Sequence, residues 1–293
     1  MRELDINLNA YREDLADVRL KSLVVSDNFV EPRLAIVQKG EVPVYSSKDQ
    51  SKCLATYLHY GESVDVFEDT GGVAWVQSRL DSYVGYVPSK CIRYLSGTKF
   101  IGNTYWIKNQ VAFAYSEPDL KSVIHDVLPR LSKVTVAGDP VVTRDTPYVQ
   151  IETGAFLAAS ALCKRDRLSN TATEAAIAYL GAPYKWGGRS FLGIDCSGLI
   201  QAVYHSLGLK CPRDTYMQKD FFATESIESV DDLAGGEILF FDQHVVLVTP
   251  DRDVIHADGE KMKVVLTSIE NLATERKLDG TSCEAVKLSR SIA

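Results

Sequence analysis

The sequence predicts an α+β domain that follows two small all-β barrels. Two observations lead to this prediction. Residues from about 31 to 165 repeat a pattern of short β-branched and aromatic runs with a period of 70, and helical patterns followed by short strands come after residue 165. Because a chain of 293 residues is long for one small core, several domains are expected.

The repeat divides the first part of the chain into two copies. Tyr45-Ser46 recurs as Tyr115-Ser116, and Val64-x-Val66 recurs as Val134-x-Val136. Gly, Pro, Asp and Asn separate the short runs in both copies, as in small antiparallel barrels. The predicted domains are an N-terminal arm or helix at 1–30, a first barrel at 31–97, a second barrel at 98–166 and a C-terminal domain at 167–293.

The C-terminal part has the pattern of helices that precede an antiparallel sheet, which is typical of an α+β domain. A first helix is predicted at 173–180, where Gly181 ends it, and a second runs from Cys196 to Leu207 with one apolar face. The predicted strands lie at 238–241, 244–249 and 254–257.

The composition limits the classes of partner. Apolar residues make up 45% of the chain, charged residues 24%, and the formal net charge is −7. A general affinity for nucleic acid or for an anionic membrane is therefore not expected. The first residues lack the apolar core of a signal peptide, and no run of eighteen apolar residues occurs, so we expect a cytoplasmic protein.

The six cysteines could form three disulfides in a secreted protein, but a reducing compartment favours free, mostly buried thiols. No two of them form a C-x-x-C pair, which gives little support to a structural zinc site. They are Cys53, Cys91, Cys163, Cys196, Cys211 and Cys283.

Cys196 is the candidate nucleophile. It falls in the first turn of the second predicted helix, where unpaired amide groups and the helix dipole favour a thiolate. Gly193 and Gly198 leave room for a substrate near the backbone. The competing interpretation is a buried structural cysteine, which is the common case for an arbitrary cysteine.

Two of the five histidines are candidate partners of this thiol. His244 begins one predicted strand and His256 ends the next, and a Cys-His pair oriented by a third polar group is a known catalytic arrangement. One Cys and two His could also hold zinc. The other three histidines lie in the barrels or point away from Cys196 on its helix: His59, His125 and His205.

The turn between these two strands decides whether the histidines can meet. Side chains alternate along a strand, so both face one side of the sheet only in the right register. A two-residue loop that pairs Pro250 with Asp253 would put His244 and His256 on opposite faces, whereas a three-residue loop or a bulge would put them on the same face.

Four segments together resemble the NlpC-type family of papain-like cysteine peptidases over about residues 170–290. Carried over, Cys196 would be the nucleophile, His244 the base and His256 the residue that orients His244, with Tyr184 beside the nucleophile and no metal or organic cofactor. The segments are Pro183-Tyr184-Lys185-Trp186-Gly187-Gly188, Asp195-Cys196-Ser197-Gly198-Leu199-Ile200, His244-Val245-Val246 and His256-Ala257.

The tandem barrels resemble bacterial SH3-like domains. The whole architecture resembles the γ-D-glutamyl-L-diamino acid endopeptidases, which cut L-Ala-γ-D-Glu from L-Lys or meso-diaminopimelate in small muropeptides. This resemblance implies that Asp195 holds the free ammonium of L-Ala, supported by Ser197. It also implies that Tyr83 of the first barrel faces the substrate. Weaker implied contacts are Thr215, where the subgroup often has serine, and Glu41 as a second acidic group.

Three alternatives compete with this reading. An endopeptidase or amidase on polymeric peptidoglycan would not need a closed pocket. A non-catalytic peptide-binding protein would not need Cys196, His244 and His256 intact. An acyltransferase on the same core would need neither the barrels nor Asp195.

Overall fold

The computed structural model divides the chain into two compact units, residues 1–162 and residues 163–293. Both predicted boundaries that flank the second barrel, at 97/98 and 166/167, lie outside the described residues. The structure describes residues 4–49, 54–95, 102–165, 168–227, 229–278 and 283–287.

The first half of the N-terminal unit contains a seven-stranded sheet in the order β5-β4-β8-β7-β6-β3-β9. β-Branched and aromatic residues dominate its strands, in keeping with their β propensity. The strands of this half are β1 Ala16–Asp17, β2 Phe29–Val30, β3 Arg33–Val37, β4 Glu41–Tyr45, β5 Leu54–His59, β6 Ser63–Thr70, β7 Val73–Ser78, β8 Val84–Pro88 and β9 Ile92–Tyr94.

The second half repeats this arrangement with a five-stranded sheet in the order β12-β11-β16-β15-β14, and β10 pairs with β13. The strands are β10 Asn103–Ile107, β11 Val111–Tyr115, β12 Ile124–Pro129, β13 Lys133–Val136, β14 Val141–Thr143, β15 Thr146–Gln150, β16 Phe156–Ala158 and β17 Leu162–Cys163.

The period of 70 found in the sequence is also the period of the structure. Strands β4 and β11 begin and end at positions 70 apart, and so do the one-turn 3-10 helices Ser89–Cys91 and Ala159–Ala161. Tyr45 pairs with Tyr86 in the first copy, and its counterpart Tyr115 pairs with Phe156 in the second. The repeated letters therefore mark equivalent places in two barrels.

Each barrel encloses its own apolar core, because side chains alternate between the two faces of each strand. The core of the first barrel consists of Ala35, Val37, Val42, Val44, Leu58, Val64, Val66, Ala74, Val76, Val87 and Ile92. The core of the second barrel, to which Tyr60 is added, consists of Ile107, Ala112, Ala114, Leu128, Val134, Val136, Val149, Ile151, Ala155, Leu157 and Ala161.

The N-terminal arm packs on the first barrel. Ala10 is buried with Trp75 in a small cluster, and the guanidinium of Arg12 lies 4.3 Å from the centroid of the Trp75 ring. The amide of Val84 donates a 2.8 Å hydrogen bond to the carbonyl of Asn7. Arg19, in the one-turn 3-10 helix of the arm, pairs with Asp65 at 3.1 Å. The arm is thus an integral part of the N-terminal unit.

In its described residues, the C-terminal unit has four α-helices and a six-stranded sheet in the order β20-β25-β21-β22-β23-β24. The helices are α1 Ala172–Ile177, α2 Cys196–Ser206, α3 Thr215–Phe222 and α4 Ile269–Arg276. The strands are β18 Arg189–Ser190, β19 Gly193–Ile194, β20 Glu225–Ser226, β21 Glu237–Phe241, β22 His244–Val248, β23 Asp253–Asp258, β24 Lys263–Ser268 and β25 Cys283–Lys287.

Helix α2 is buried at all eleven positions. A helix that is enclosed on every side is held by packing rather than by its own propensity. The start of the preceding helix α1 is fixed by Thr171, whose hydroxyl accepts a hydrogen bond from the amide of Glu174. Within the described ranges, none of these helices combines the length and the apolar character that a membrane crossing requires.

Candidate active site

Asp195 and Cys196 open helix α2. Asp195 has an extended backbone, and its carboxylate accepts a 2.8 Å hydrogen bond from the amide of Gly198, so it is the N-cap. The helix begins at Cys196, whose side chain lies at the end where the helix dipole favours negative charge. A Cβ atom on Gly198 would come within 2.2 Å of the Gly188 carbonyl oxygen. Glycine at this position therefore lets the 187–188 loop approach the helix start.

Cys196 is only 8% exposed. Burial and then the nearby Asp195 carboxylate raise the pKa of its thiol, to about 11. The backbone amides of Val245 and Ser197 and the guanidinium of Arg213 act in the opposite direction. In the unliganded site the sulfur is therefore a thiol at neutral pH, and its ionisation depends on these three sources of positive potential.

The register of β22 and β23 brings the two histidines together. Val248 pairs with Val254, and the turn that follows contains residues 250–252 between the flanking Thr249 and Asp253. This three-residue loop keeps His244 and His256 on one face of the sheet. The Nε2 atom of His244 lies 2.9 Å from the Nδ1 atom of His256.

Both imidazoles are neutral at physiological pH. Burial, and then the neighbouring His256 and Arg276, lower the pKa of His244 to about 3. Burial also lowers the pKa of His256 to about 4, although Asp258 opposes the shift. A neutral His244 has a free lone pair, so it is able to accept a proton from a thiol.

Asp258, which was not predicted from the sequence, lies two residues after His256 on the same face of β23. Its side chain is 1% exposed, and its Oδ2 atom lies 4.0 Å from the Nε2 atom of His256. The amides of Glu260 and Lys261 and the guanidinium of Arg276 donate to its Oδ1 atom. The period of two along a strand could have identified it, because an acid at that spacing faces the same way as the histidine.

The carboxylate of Asp195 receives four donors from three segments of the chain. Oδ1 accepts from the Gly198 amide at 2.8 Å and lies 3.4 Å from the Ser197 hydroxyl. Oδ2 accepts from the Gly187 amide at 2.8 Å and from the Arg213 guanidinium at 2.7 Å. The negative charge beside the nucleophile is thus compensated within the protein. Arg213 was not predicted from the sequence. The signal that could have indicated it is Asp195 itself, because a carboxylate at a buried helix start needs a cation nearby.

Tyr184 lies near Cys196 and Asp195, and Thr215 follows Arg213 by two residues in the sequence. The pKa of the Tyr184 hydroxyl is raised to about 12 by burial and then by the negative charges of Cys196 and Asp195, so this hydroxyl stays a donor. The Tyr184 ring faces Gly259, where an added Cβ atom would lie 3.6 Å from it. Thr215 is half-buried and forms the first residue of α3.

Tyr83 and Glu41 belong to the N-terminal unit. Tyr83 is buried in a tight turn, in which its amide donates to the Asp81 carboxylate at 3.2 Å and Ser82 has a φ of 65°. Glu41 lies on β4, with its carboxylate 3.9 Å from the His59 ring. Their predicted contacts with substrate stay predictions.

Among the cysteines that the structure describes, no disulfide joins one to another. They are Cys91, Cys163, Cys196, Cys211 and Cys283, and Cys53 lies outside the described residues. His205 is buried near the C-terminal end of α2. Within the part of the chain that the structure describes, no three His, Cys, Asp or Glu side chains are grouped as metal ligands would be.

Two family models match the chain. Residues 181–281 match the NlpC/P60 family, and residues 44–92 match the bacterial dipeptidyl-peptidase Sh3 domain. The first match contains Cys196, His244 and His256, and the second contains Tyr83. The two matches fall in different units of the structure, in the order that the sequence predicts.

Two curated relatives extend over most of the chain. Dipeptidyl-peptidase 6 of Lysinibacillus sphaericus is 27% identical over 252 residues, which is 80% of this chain and 92% of that protein. The gamma-D-glutamyl-L-lysine dipeptidyl-peptidase of Bacillus subtilis (strain 168) is 26% identical over 77% of this chain and 79% of that protein.

A solved structure has the same fold. The crystal structure of an NlpC/P60 family protein from Bacillus cereus ATCC 10987 aligns with a TM-score of 0.67 and 17% sequence identity, and the match covers 89% of this chain and all of that one. The predicted fold class, a papain-like α+β domain after two SH3-like barrels, is confirmed.

Proposed function

We propose that the C-terminal unit, which matches the NlpC/P60 family and follows a match to the bacterial dipeptidyl-peptidase Sh3 domain, is a cysteine peptidase that cuts small cell-wall peptides. The bond cleaved would join γ-D-Glu to a diamino acid, L-Lys or meso-diaminopimelate, in peptides with a free N-terminal L-Ala. The main support is a cysteine at a helix start whose sulfur accepts a hydrogen bond from the backbone amide of Val245, next to His244 of the neutral histidine pair. In addition, the chain resembles two such dipeptidyl-peptidases along most of its length.

The proposed reaction is acyl transfer to the Cys196 sulfur. The sulfur attacks the γ-carbonyl carbon of D-Glu as its proton passes to His244, and the C–N bond breaks when His244 returns the proton to the leaving amine. Water then attacks the thioester with His244 as the base, which releases L-Ala-γ-D-Glu and restores the thiol. Amide groups at the start of α2 and the Tyr184 hydroxyl are available donors for the oxyanion.

His256 has a positioning role in this scheme. When His244 becomes an imidazolium, its Nε2–H group can donate to the Nδ1 atom of His256 across the 2.9 Å contact. His256 must then carry its proton on Nε2, the atom that faces the Asp258 carboxylate. The two strands thus favour one tautomer in each ring.

Recognition of the L-Ala ammonium is assigned to Asp195. Asp195 already receives the Arg213 guanidinium, so an ammonium must share the carboxylate with that cation. A buried ammonium in such a pocket would discriminate strongly against N-acetylated peptides.

The proposal also includes the cellular setting. Free muropeptides with an unblocked L-Ala arise when cell-wall fragments are degraded for reuse, so we place the enzyme in the cytoplasm as part of murein peptide recycling. The second candidate activity is cleavage of polymeric peptidoglycan, in which the L-Ala nitrogen is acylated.

The deciding experiment compares L-Ala-γ-D-Glu-L-Lys with its N-acetylated form and with intact sacculi. We expect rapid release of L-Lys from the free tripeptide alone, measured as kcat/KM. Equal rates on the free and acetylated peptides would replace this proposal by the polymer-cutting activity. Absence of hydrolysis on all three substrates would contradict both.

A further inference from the structure

We propose that Arg213 is a positioning residue of this active site, which holds Asp195 and Ser197 in place beside the nucleophile and compensates the charge of Asp195. The inference rests on the proposed peptidase function in that it takes Cys196 as the nucleophile. None of the hydrogen bonds described above joins Arg213 to the Cys196 sulfur or to either histidine.

The contacts of Arg213 converge on the start of helix α2. Its Nη2 atom lies 2.7 Å from Oδ2 of Asp195 and 3.4 Å from the Gly188 carbonyl oxygen, and its Nη1 atom donates to the Ser197 hydroxyl at 2.9 Å. The two partner residues flank Cys196 on both sides in the sequence. The rigid, planar guanidinium fork holds both at fixed angles, whereas an ammonium group lacks this fixed geometry.

Burial makes this pairing obligatory. The side chain of Arg213 is 1% exposed, and that of Asp195 is 8% exposed. An unpaired charge in such a place costs far more than the pair itself contributes, so removal of one partner leaves the other strongly destabilised. The guanidinium is thus fixed close to the nucleophile in every folded molecule.

The segment that carries Arg213 is itself attached to α2. Gln218 on α3 donates to the carbonyl oxygens of Ser197 and Pro212, at 2.9 and 3.0 Å, and Gln201 on α2 donates to the carbonyl oxygen of Cys211 at 3.2 Å. These bonds lie on both sides of Arg213 along the chain. These bonds therefore fix the backbone segment from which the Arg213 side chain extends.

The charge of Arg213 acts on Cys196 in the direction that catalysis needs. Asp195 raises the pKa of the thiol and Arg213 lowers it. Without Arg213, the carboxylate next to the nucleophile would be uncompensated, and the thiolate would be harder to form. With it, Asp195 can cap the helix and border the substrate pocket without suppressing the nucleophile.

The test measures alkylation of Cys196 by iodoacetamide between pH 6 and 10, located by peptide mass mapping, and requires no peptide substrate. Arg213→Met should slow alkylation at pH 8 by about tenfold for each unit of increase in the thiol pKa. Arg213→Lys keeps the charge and should alkylate within about twofold of the wild type, yet lose kcat/KM because the Ser197 contact is broken.

A double variant separates charge compensation from simple structural support. In Asp195→Asn combined with Arg213→Met both buried charges are gone, and alkylation should recover relative to Arg213→Met alone. If Arg213→Met alone does not fold, the double variant is compared with Asp195→Asn, and it should alkylate more slowly because it lacks the cation. Lys219→Met is the matched control, since it removes a cation of α3 that pairs with Glu284, and its alkylation should be unchanged.

The proposal would be overturned if Arg213→Met alkylated at the wild-type rate. It would also be overturned if the double variant alkylated at the same rate as the single variant with which it is compared. These outcomes are independent of the peptide assay. An enzyme inactive on muropeptides but showing the predicted alkylation pattern would contradict the proposed function and leave the role of Arg213 supported.

Discussion

The Nε2 atom of His244 lies 2.9 Å from the Nδ1 atom of His256, on the neighbouring strand of the same sheet face. This contact leaves the Nδ1 atom of His244 as the ring nitrogen available to the thiol, and it leaves the Nε2 atom of His256 directed at Asp258, 4.0 Å away. Substitution of Asp258 and of His256 tests this chain of contacts.

Replacement of Asp258 by Asn should lower kcat/KM by about tenfold, a fraction of the roughly 10²–10⁴ that general-base catalysis supplies. The loss follows because the carboxylate no longer favours the His256 tautomer with its proton on Nε2. A matched control is Glu260→Gln, which alters an exposed acid of the same turn. Activity of Asp258→Asn equal to that of the control, across the pH range, would show that Asp258 plays no part.

The stability of the C-terminal unit should decrease as the pH falls from about 6.5 to about 4. Burial lowers the pKa of His244 to about 3 and that of His256 to about 4, below the usual 6.5 of an unfolded chain. In this interval the unfolded state binds more protons, so acid favours unfolding. Thermal unfolding followed by circular dichroism measures the effect.

His256→Gln is the control for this pH dependence, because it removes one of the two titrating rings. The decrease in Tm between pH 7 and pH 4.5 should be smaller in this variant than in the wild type. Equal decreases would mean that carboxylates elsewhere cause the acid sensitivity and that the histidine pair does not contribute.

Replacement of Cys196 by Ala should abolish hydrolysis and leave the fold intact, since only the nucleophilic sulfur is removed. Single replacements of the buried Cys211 and Cys283 by Ala should retain most activity at a temperature where both variants are folded. The rates are measured by release of L-Lys, and circular dichroism checks the fold. Appreciable turnover by Cys196→Ala would rule out the covalent mechanism.

Asp195→Asn should reduce kcat/KM on L-Ala-γ-D-Glu-L-Lys by about a hundredfold or more, because a buried charge loses its partner. Tyr83→Phe should cause a smaller loss, since only one hydroxyl contact is removed. N-acetylated tripeptide is the second substrate in both assays. If Asp195→Asn cuts free and acetylated peptides in the wild-type ratio, the carboxylate does not select the ammonium.

The sequence was informative where a pattern has a geometric meaning. The period of 70 predicts two equivalent barrels because each repeated letter occupies an equivalent strand position, as Tyr45 and Tyr115 do. The helix start at Cys196 follows from the N-cap preference of Asp195. Both features depend on local chemistry, which a single sequence contains.

The long-range partners were not predictable in the same way. Arg213 is 18 residues from Asp195 in the sequence, beyond helix α2 and the irregular segment that follows it. The register of β22 and β23 depends on whether the turn has two or three residues. Asp258 could have been identified by strand periodicity, but its link to Arg276 required the position of α4. Pairing across loops is decided by packing, which leaves little local trace in a sequence.

The Asp195–Arg213 ion pair and the Arg19–Asp65 ion pair of the arm should respond differently to ionic strength, because only the first is buried. Arg19 is 54% exposed, so its bridge to Asp65 is within reach of counterions, which screen exposed charges over about 8 Å at 0.15 M salt. The Arg213 guanidinium is sealed from them. Concentrated salt should therefore weaken the attachment of residues 4–30 to the first barrel while the charge balance around the nucleophile is preserved.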